Sequence, residues 1–244
     1  MSGRSFAAAS AALAAGFAMT LGLFWALLNV PESSVPALAL SAGLAVCIAV
    51  AAGLTTGSAA ALVVGAPWRE AARRAVRALP GFLAGLVIFA VLWWITGSAD
   101  HGWREHRGEV DAIVVRHFGT ARTSVIHEGV FLTIWLVRWV VGLAVVTGLV
   151  AACAIGGTRA AARGLRAAVQ IVPLMATAIV ALIVGKGLWR LVDWRPKAIP
   201  PNWLEPVFVA IKLSVLYVLA IALAVIVLAA FQRAISSHAL PVRS

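Results

Sequence analysis

The stretch PGFLAGLVIFAVLWWIT (80–96) contains no charged residue and carries a tryptophan pair close to its end. A backbone surrounded by lipid must satisfy its own N–H and C=O groups, which a helix does. An arginine-rich segment, WREAARRAVRAL (68–79), precedes the run, and a long polar segment (98–128) follows it. The run therefore predicts a transmembrane helix whose two ends face chemically different surroundings.

Five further apolar runs share these properties, in a chain of 244 residues that is 62% hydrophobic. Spanning ~30 Å of hydrocarbon takes about 20 apolar residues in a helix. We therefore predict an all-α, polytopic integral membrane protein, a single domain over 1–244 that forms three helical hairpins. The six predicted spans are 6–30, 35–54, 80–96, 129–154, 173–191 and 206–231.

The first span has the position of a signal peptide, with Arg4 just before its apolar run. The hydrophobic region of a signal peptide is typically about 7–15 residues long, and this run is longer. We expect a retained membrane anchor. Cleavage would instead leave five spans and place the N-terminus outside.

The net charge of +11 is divided unevenly between the two sides of the predicted membrane. One side has Glu70 as its only acid, whereas the other holds seven bases and eight acids. By the positive-inside rule the basic side is cytoplasmic, which puts both termini in the cytoplasm of a bacterial-type cell. The excess charge then faces anionic lipid headgroups and not nucleic acid. The basic side carries Arg4, Arg69, Arg73, Arg74, Arg77, Arg159, Arg163, Arg166, Arg233 and Arg243.

Nine of the ten tryptophans fall at the opposite, outer ends of the runs, and Trp68 alone lies at the basic side. Tryptophan prefers the headgroup level, where its ring is half-buried and its N–H finds a partner. The pattern predicts an aromatic belt at the outer interface. Its members are Trp25, Trp93, Trp94, Trp103, Trp135, Trp139, Trp189, Trp194 and Trp203.

Two arginine-rich segments, 68–79 and 158–172, each precede a pair of spans. Their arginines recur at helical spacing, with alanine, valine and leucine on the other faces. We predict amphipathic helices that lie along the inner interface, where long arginine side chains reach phosphates. The predicted contacts with the inner leaflet are Arg69, Arg73, Arg77, Arg159, Arg163 and Arg166.

Two further stretches of sequence bear on where helices begin and end. The sequence LTTGS (54–58) predicts the end of the second span, followed by an interfacial or re-entrant piece; a single strongly tilted helix is the alternative. Within the outer loop 98–128, apolar residues recur close to helical spacing over 102–118. That spacing predicts an amphipathic helix on the outer surface.

Small residues recur every four positions in the first and fourth spans. Such faces let helices approach closely in lipid, so we expect packing seams within the chain or with a partner. The two seams are Ala8, Ala12, Gly16 and Thr20, and Ala144, Gly148, Ala152 and Gly156.

Three basic residues lie inside spans, toward the outer half: Arg138, Lys186 and Lys212. An ionisable group at mid-membrane costs at least about 2.5–3.5 kcal/mol and is a functional hypothesis by default. We predict a basic pocket for an anionic lipid or solute, and salt bridges to nearby acids are the alternative. The predicted apolar and cation–π wall of this pocket is Trp135, Trp139 and Trp189.

Histidines in the outer loop form a weaker candidate. On a helix His106, Glu109 and His117 point the same way, as metal ligands would, but the usual zinc motif HExxH is absent. We therefore expect no metal and no cofactor. The leading hypothesis is a non-catalytic subunit of a transport or assembly complex, with lipids and other membrane subunits as partners. Alternatives are an enzyme acting on a lipid headgroup through this loop, and a structural subunit of a pigment or cofactor complex.

Overall fold

The apolar runs form helices in the computed structural model, which describes residues 2–31, 34–118, 123–188, 190 and 204–237. This described part is 94% helical and contains no strand, which confirms the predicted all-α class. The α-helices are α1 (Gly3–Leu28), α2 (Val35–Val63), α3 (Trp68–Phe118), α4 (Thr123–Trp135), α5 (Gly142–Gly156), α6 (Ala161–Ala168), α7 (Ile171–Leu182) and α8 (Leu204–Ser237). Two π-helical turns, Leu136–Val141 and Ile183–Leu188, and a 3₁₀ turn, Thr158–Ala160, complete the described elements.

Five helical stretches are long and apolar enough to cross a membrane: α1, α2, α3, α8 and the continuous stretch Thr123–Gly156. The segments Thr158–Ala168 and Ile171–Gly185 meet at a bend of 73° and qualify as a sixth stretch only when taken together. The predicted number of six spans therefore depends on this bent pair.

Local sequence explains several helix ends. The Ser34 hydroxyl accepts the Ala37 N–H at 3.4 Å, and Pro36 lies in the first turn of α2. Both features favour a helix start. Gly65 and Gly157 follow α2 and α5 with φ of +83° and +63°, a backbone conformation that glycine adopts without strain.

The predicted end of the second span at LTTGS (54–58) was wrong, since α2 continues to Val63. The hydroxyls of Thr55 and Thr56 donate to the carbonyls of Ala51 and Ala52, so they do not compete with the helix. A helix of 29 residues is about 43 Å long, which fits the alternative of one tilted helix.

The helix predicted over 102–118 is present, but it is not separate, because residues 98–101 are helical too and the expected loop is absent there. Residues 97–118 continue α3, a helix of 51 residues that is about 75 Å long. The salt bridge between Arg104 and Asp100, four residues apart, favours this polar continuation. His101 Nε2 also lies 3.1 Å from Glu105 Oε1, one helical turn away. The chain then reverses, and α4 packs back against the end of α3.

The two arginine-rich segments differ from each other. Residues 68–79 are helical, as predicted. They form the first turns of α3, however, and not a helix of their own. The second segment does form a helix of its own, α6, set off from α7 by the 73° bend.

The helices run antiparallel, so their ends gather in two groups. Ser5 near the start of α1 lies beside Gly65, and Gln232 near the end of α8 donates to the carbonyls of Ala60 and Ala151. We call this end, which carries the arginines of 68–79 and of α6, the Arg-rich end. The other end, with Trp25 of α1, Trp93 and Trp94 of α3 and Trp135 of α4, is the Trp-rich end.

The small-residue seams are packing surfaces within the chain. Gly148 of α5 faces Gly164 of α6 so closely that a Cβ on Gly148 would lie 2.5 Å from the Gly164 carbonyl oxygen. Gly16 of α1 packs in the same way on Thr55 of α2. Small residues at these positions let the helix backbones approach closely.

Candidate functional site

Two glycines bring α3 and α5 together along the apolar run 80–96. A Cβ on Gly85 would lie 2.9 Å from the Cα of Val146, and one on Gly142 would lie 2.6 Å from the Phe89 ring. Because neither position has a side chain, the two backbones approach until the residues around Arg138 touch α3.

The Arg138 side chain is held by α3. Its Nε donates to the Thr96 hydroxyl at 3.1 Å, and its Cζ lies 4.2 Å from the centroid of the Trp93 ring. The Thr96 hydroxyl donates in turn to the Leu92 carbonyl at 2.7 Å. The Thr96 hydroxyl thus accepts a hydrogen bond from Arg138 and donates one to Leu92, which orients the guanidinium.

An aromatic cluster surrounds this contact. Trp93 and Trp139 meet edge to face with centroids 5.4 Å apart, and Phe89 lies 5.9 Å from Trp93 and 6.3 Å from Trp139. Offset and edge-on ring pairs of this kind are favourable beyond their buried area. A cation over an indole face is stabilised by the ring quadrupole.

Arg138 keeps donors that the described part of the chain does not use. A guanidinium has five N–H groups, and the hydrogen bond to Thr96 accounts for one of them. No carboxylate among the described residues forms an ion pair with Arg138. The remaining N–H groups form the planar fork that suits a phosphate or carboxylate.

Arg138 lies in the π-helical turn Leu136–Val141, which sequence periodicity does not reveal. Such turns occur often at functional sites. The turn shifts the register after Trp135, so Trp135 and Arg138 face different neighbours. A Cβ on Gly185 would lie 3.6 Å from the Trp135 ring, whereas Arg138 faces α3.

The predicted members of the basic pocket are not all brought together. Trp139 joins Arg138 in the aromatic cluster, but Lys212 lies on α8, with its Nζ 5.7 Å from the centroid of the Phe208 ring. The backbone of Lys186 is in the second π-helical turn, and its side chain falls outside the described residues, as does Trp189. Trp93 and Thr96 complete the site instead.

Sequence reasoning missed Trp93 and Thr96 as partners of Arg138, although a signal was present. The third and fourth spans are antiparallel neighbours in a hairpin, so the end of the run 80–96 must lie near the outer part of the run 129–154. Thr96 is the one hydroxyl in the run 80–96.

The predicted inner-leaflet arginines form exposed ridges over buried alanines. Ala71, Ala75 and Ala78 of α3 are buried, and so are Ala160, Ala167 and Ala168 around α6. The arginines on the opposite faces, Arg69, Arg73, Arg77, Arg159, Arg163 and Arg166, are all exposed. The predicted amphipathic faces are therefore present at the Arg-rich end.

The weak metal candidates do not gather. His106 and His117 are on one helix, about 16 Å apart along its axis, and their Nδ1 atoms lie 3.0 and 2.9 Å from backbone carbonyls of α3. Within the described ranges, no three His, Cys, Asp or Glu side chains are placed to hold a metal ion.

His127 of α4 has side-chain partners on α3, across the α3–α4 hairpin. Its Nε2 lies 2.7 Å from Asp111 Oδ1, and its ring meets Trp103 edge to face at 5.5 Å. Arg107 Nε lies 3.2 Å from the same ring nitrogen. These contacts join α4 to the polar end of α3.

Comparison with known protein families, with characterised proteins and with solved structures gives no match for this chain.

Proposed function

We propose that this chain is a multi-pass protein of the bacterial cytoplasmic membrane, with both termini in the cytoplasm. It acts without catalysis, as a subunit of a transport or assembly complex. It binds an anionic lipid headgroup or a small anionic solute at its Trp-rich end. The observation that carries the binding proposal is Arg138, held by Thr96 and Trp93 with no carboxylate partner among the described residues.

Membrane placement is supported by large apolar side chains on the surface. Trp94, Leu38 and Trp25 are 72%, 71% and 69% exposed, and many aliphatic residues of the long helices are similarly open. Soluble monomers rarely expose contiguous apolar patches this extensive, so lipid or partner subunits are expected to cover them.

The anion proposal is supported by the cost of an unpaired cation near hydrocarbon. Thr96, which holds the guanidinium, is the last residue of the apolar run 80–96 and precedes polar residues. At this level a cation is partly desolvated and needs a counter-charge. An anionic headgroup or a free anion supplies the same chemistry: an oxyanion that accepts two parallel N–H bonds.

Native mass spectrometry of the protein released gently from its own membrane tests this proposal. Wild type should retain an anionic ligand that Arg138→Gln loses, with an affinity decrease of roughly tenfold or more, as expected for charge-assisted hydrogen bonds. Arg104→Gln is the matched control, because Arg104 is exposed at the same end and already pairs with Asp100.

The ligand mass separates the two sources of the anion. A phospholipid mass identifies a headgroup, whereas a small mass that inorganic phosphate displaces identifies a solute. Co-release of other polypeptides in fixed ratio supports the subunit role. Equal ligand retention by wild type and Arg138→Gln would contradict the anion site.

A further inference from the structure

A groove of about 540 Å³ lies on the surface of α8, beside the bend between α6 and α7. Its floor is one face of α8, and the start of α7 forms its wall at Val172. Because α6 and α7 meet at 73°, they leave this face open, and Ile226 and Val172 are 51% and 71% exposed.

The groove changes from apolar to basic along α8. Ile226, Ala229 and Ala230 line its apolar part, and Arg233 follows one turn later, about 10 Å along the axis from Ile226. Small side chains at 229 and 230 leave a channel that a hydrocarbon chain can fill. Arg233 is exposed and forms no ion pair with a carboxylate of the described chain.

Burial of the neighbouring residue fixes the level of Arg233 within the bundle. Gln232 is 3% exposed, and its Nε2 donates to the carbonyls of Ala60 at 3.0 Å and Ala151 at 3.3 Å. Both carbonyls lie close to the ends of α2 and α5. Arg233 is therefore at the Arg-rich end, and Ile226 is nearer the middle of the bundle.

The start of α7 adds to the positive potential at this end of the groove. The first turn of α7, which begins at Ile171, contains no acid. The N-terminus of a helix carries a partial positive charge that favours a phosphate.

We propose that this groove binds one anionic phospholipid from the leaflet at the Arg-rich end. The phosphate binds Arg233, and one acyl chain lies along Ala230, Ala229 and Ile226. This site is distinct from the anion site at Arg138. It rests on the membrane-spanning part of the proposed function and not on the Arg138 site.

Retention of phosphatidylglycerol tests the proposal. The purified full chain is given equal amounts of phosphatidylglycerol and phosphatidylcholine, and bound lipid is measured by native mass spectrometry. Wild type should prefer phosphatidylglycerol, and Arg233→Gln should lower that retention roughly tenfold or more. Ala230→Trp keeps the charge but fills the channel, so it should also lower retention, with thermal unfolding confirming that it folds.

Arg116→Gln is the control, because Arg116 is an exposed arginine near the other end of α3 and the substitution removes the same charge. Retention unchanged in both Arg233→Gln and Ala230→Trp would overturn the site, and so would equal loss in Arg116→Gln. Complete displacement of the lipid by inorganic phosphate would overturn the phospholipid as its occupant. Arg138→Gln should leave this groove filled, which distinguishes failure of one site from failure of the other.

Discussion

Gly148 and Gly164 set the distance between α5 and α6. A Cβ on Gly148 would lie 2.5 Å from the Gly164 carbonyl oxygen and 3.1 Å from Phe231 Cε1, and neither the backbone nor a fully buried ring can move away easily. Gly148→Ala is therefore expected to destabilise the fold by about 1–3 kcal/mol, the usual cost of overpacking.

Thermal unfolding in detergent measures this effect as a lower Tm. Gly43→Ala is the matched control, because no atom lies within 4 Å of a Cβ built on that α2 glycine. It should be neutral or stabilising by up to about 1 kcal/mol. An unchanged Tm in Gly148→Ala would mean that α5 and α6 are not in this close contact.

Single residues also show what sequence alone can predict of the site. Arg138 stood out because a guanidinium inside an apolar run is rare, and Trp139 because it is next to it. The roles of Thr96 and Trp93 depend on how two helices are placed side by side, and the π-helical turn changes which face Arg138 occupies. The spacing of residues along one helix encodes neither the pairing of the two helices nor the π-helical turn.

At the scale of elements, the polar end of α3 is the largest departure from expectation. The sequence changes from apolar to polar after Thr96, which is the usual signal for the end of a span, and Gly97, Gly102 and Gly108 weaken a helix. The helix continues past Thr96, where the Arg104–Asp100 salt bridge and the packing of α4 favour it. Tertiary packing overrides the local preference here.

Spin labels test this continuity. Labels at Val87→Cys and Ile113→Cys, both exposed sites on α3, should be about 39 Å apart in one continuous helix, with Cys47 and Cys153 replaced by alanine. A pair on α8, Val209→Cys and Ile226→Cys, serves as the control at about 25 Å. A markedly shorter distance on α3 alone would mean that its polar part folds back onto the bundle.

At the scale of the whole molecule, tight packing concentrates toward the Arg-rich end. The buried residues of α2 begin at Ala51, and those of α1 are Ala9 and Leu13. The apolar helices could be predicted from hydropathy, and the grouping of their ends from charge. Hydropathy and charge can both be read from the composition along the chain. The bend between α6 and α7 and the groove beside it depend on packing, which composition does not determine.

The proposed function requires the chain to cross a membrane with its Arg-rich end in the cytoplasm. Single cysteines placed at Ser2, Ala99 and Ser236, in a chain whose native cysteines are alanine, test this directly with a membrane-impermeant maleimide. In intact cells we expect labelling at position 99 alone, and labelling at 2 and 236 only after lysis. Labelling of 2 or 236 in intact cells, or protection of 99, would contradict it.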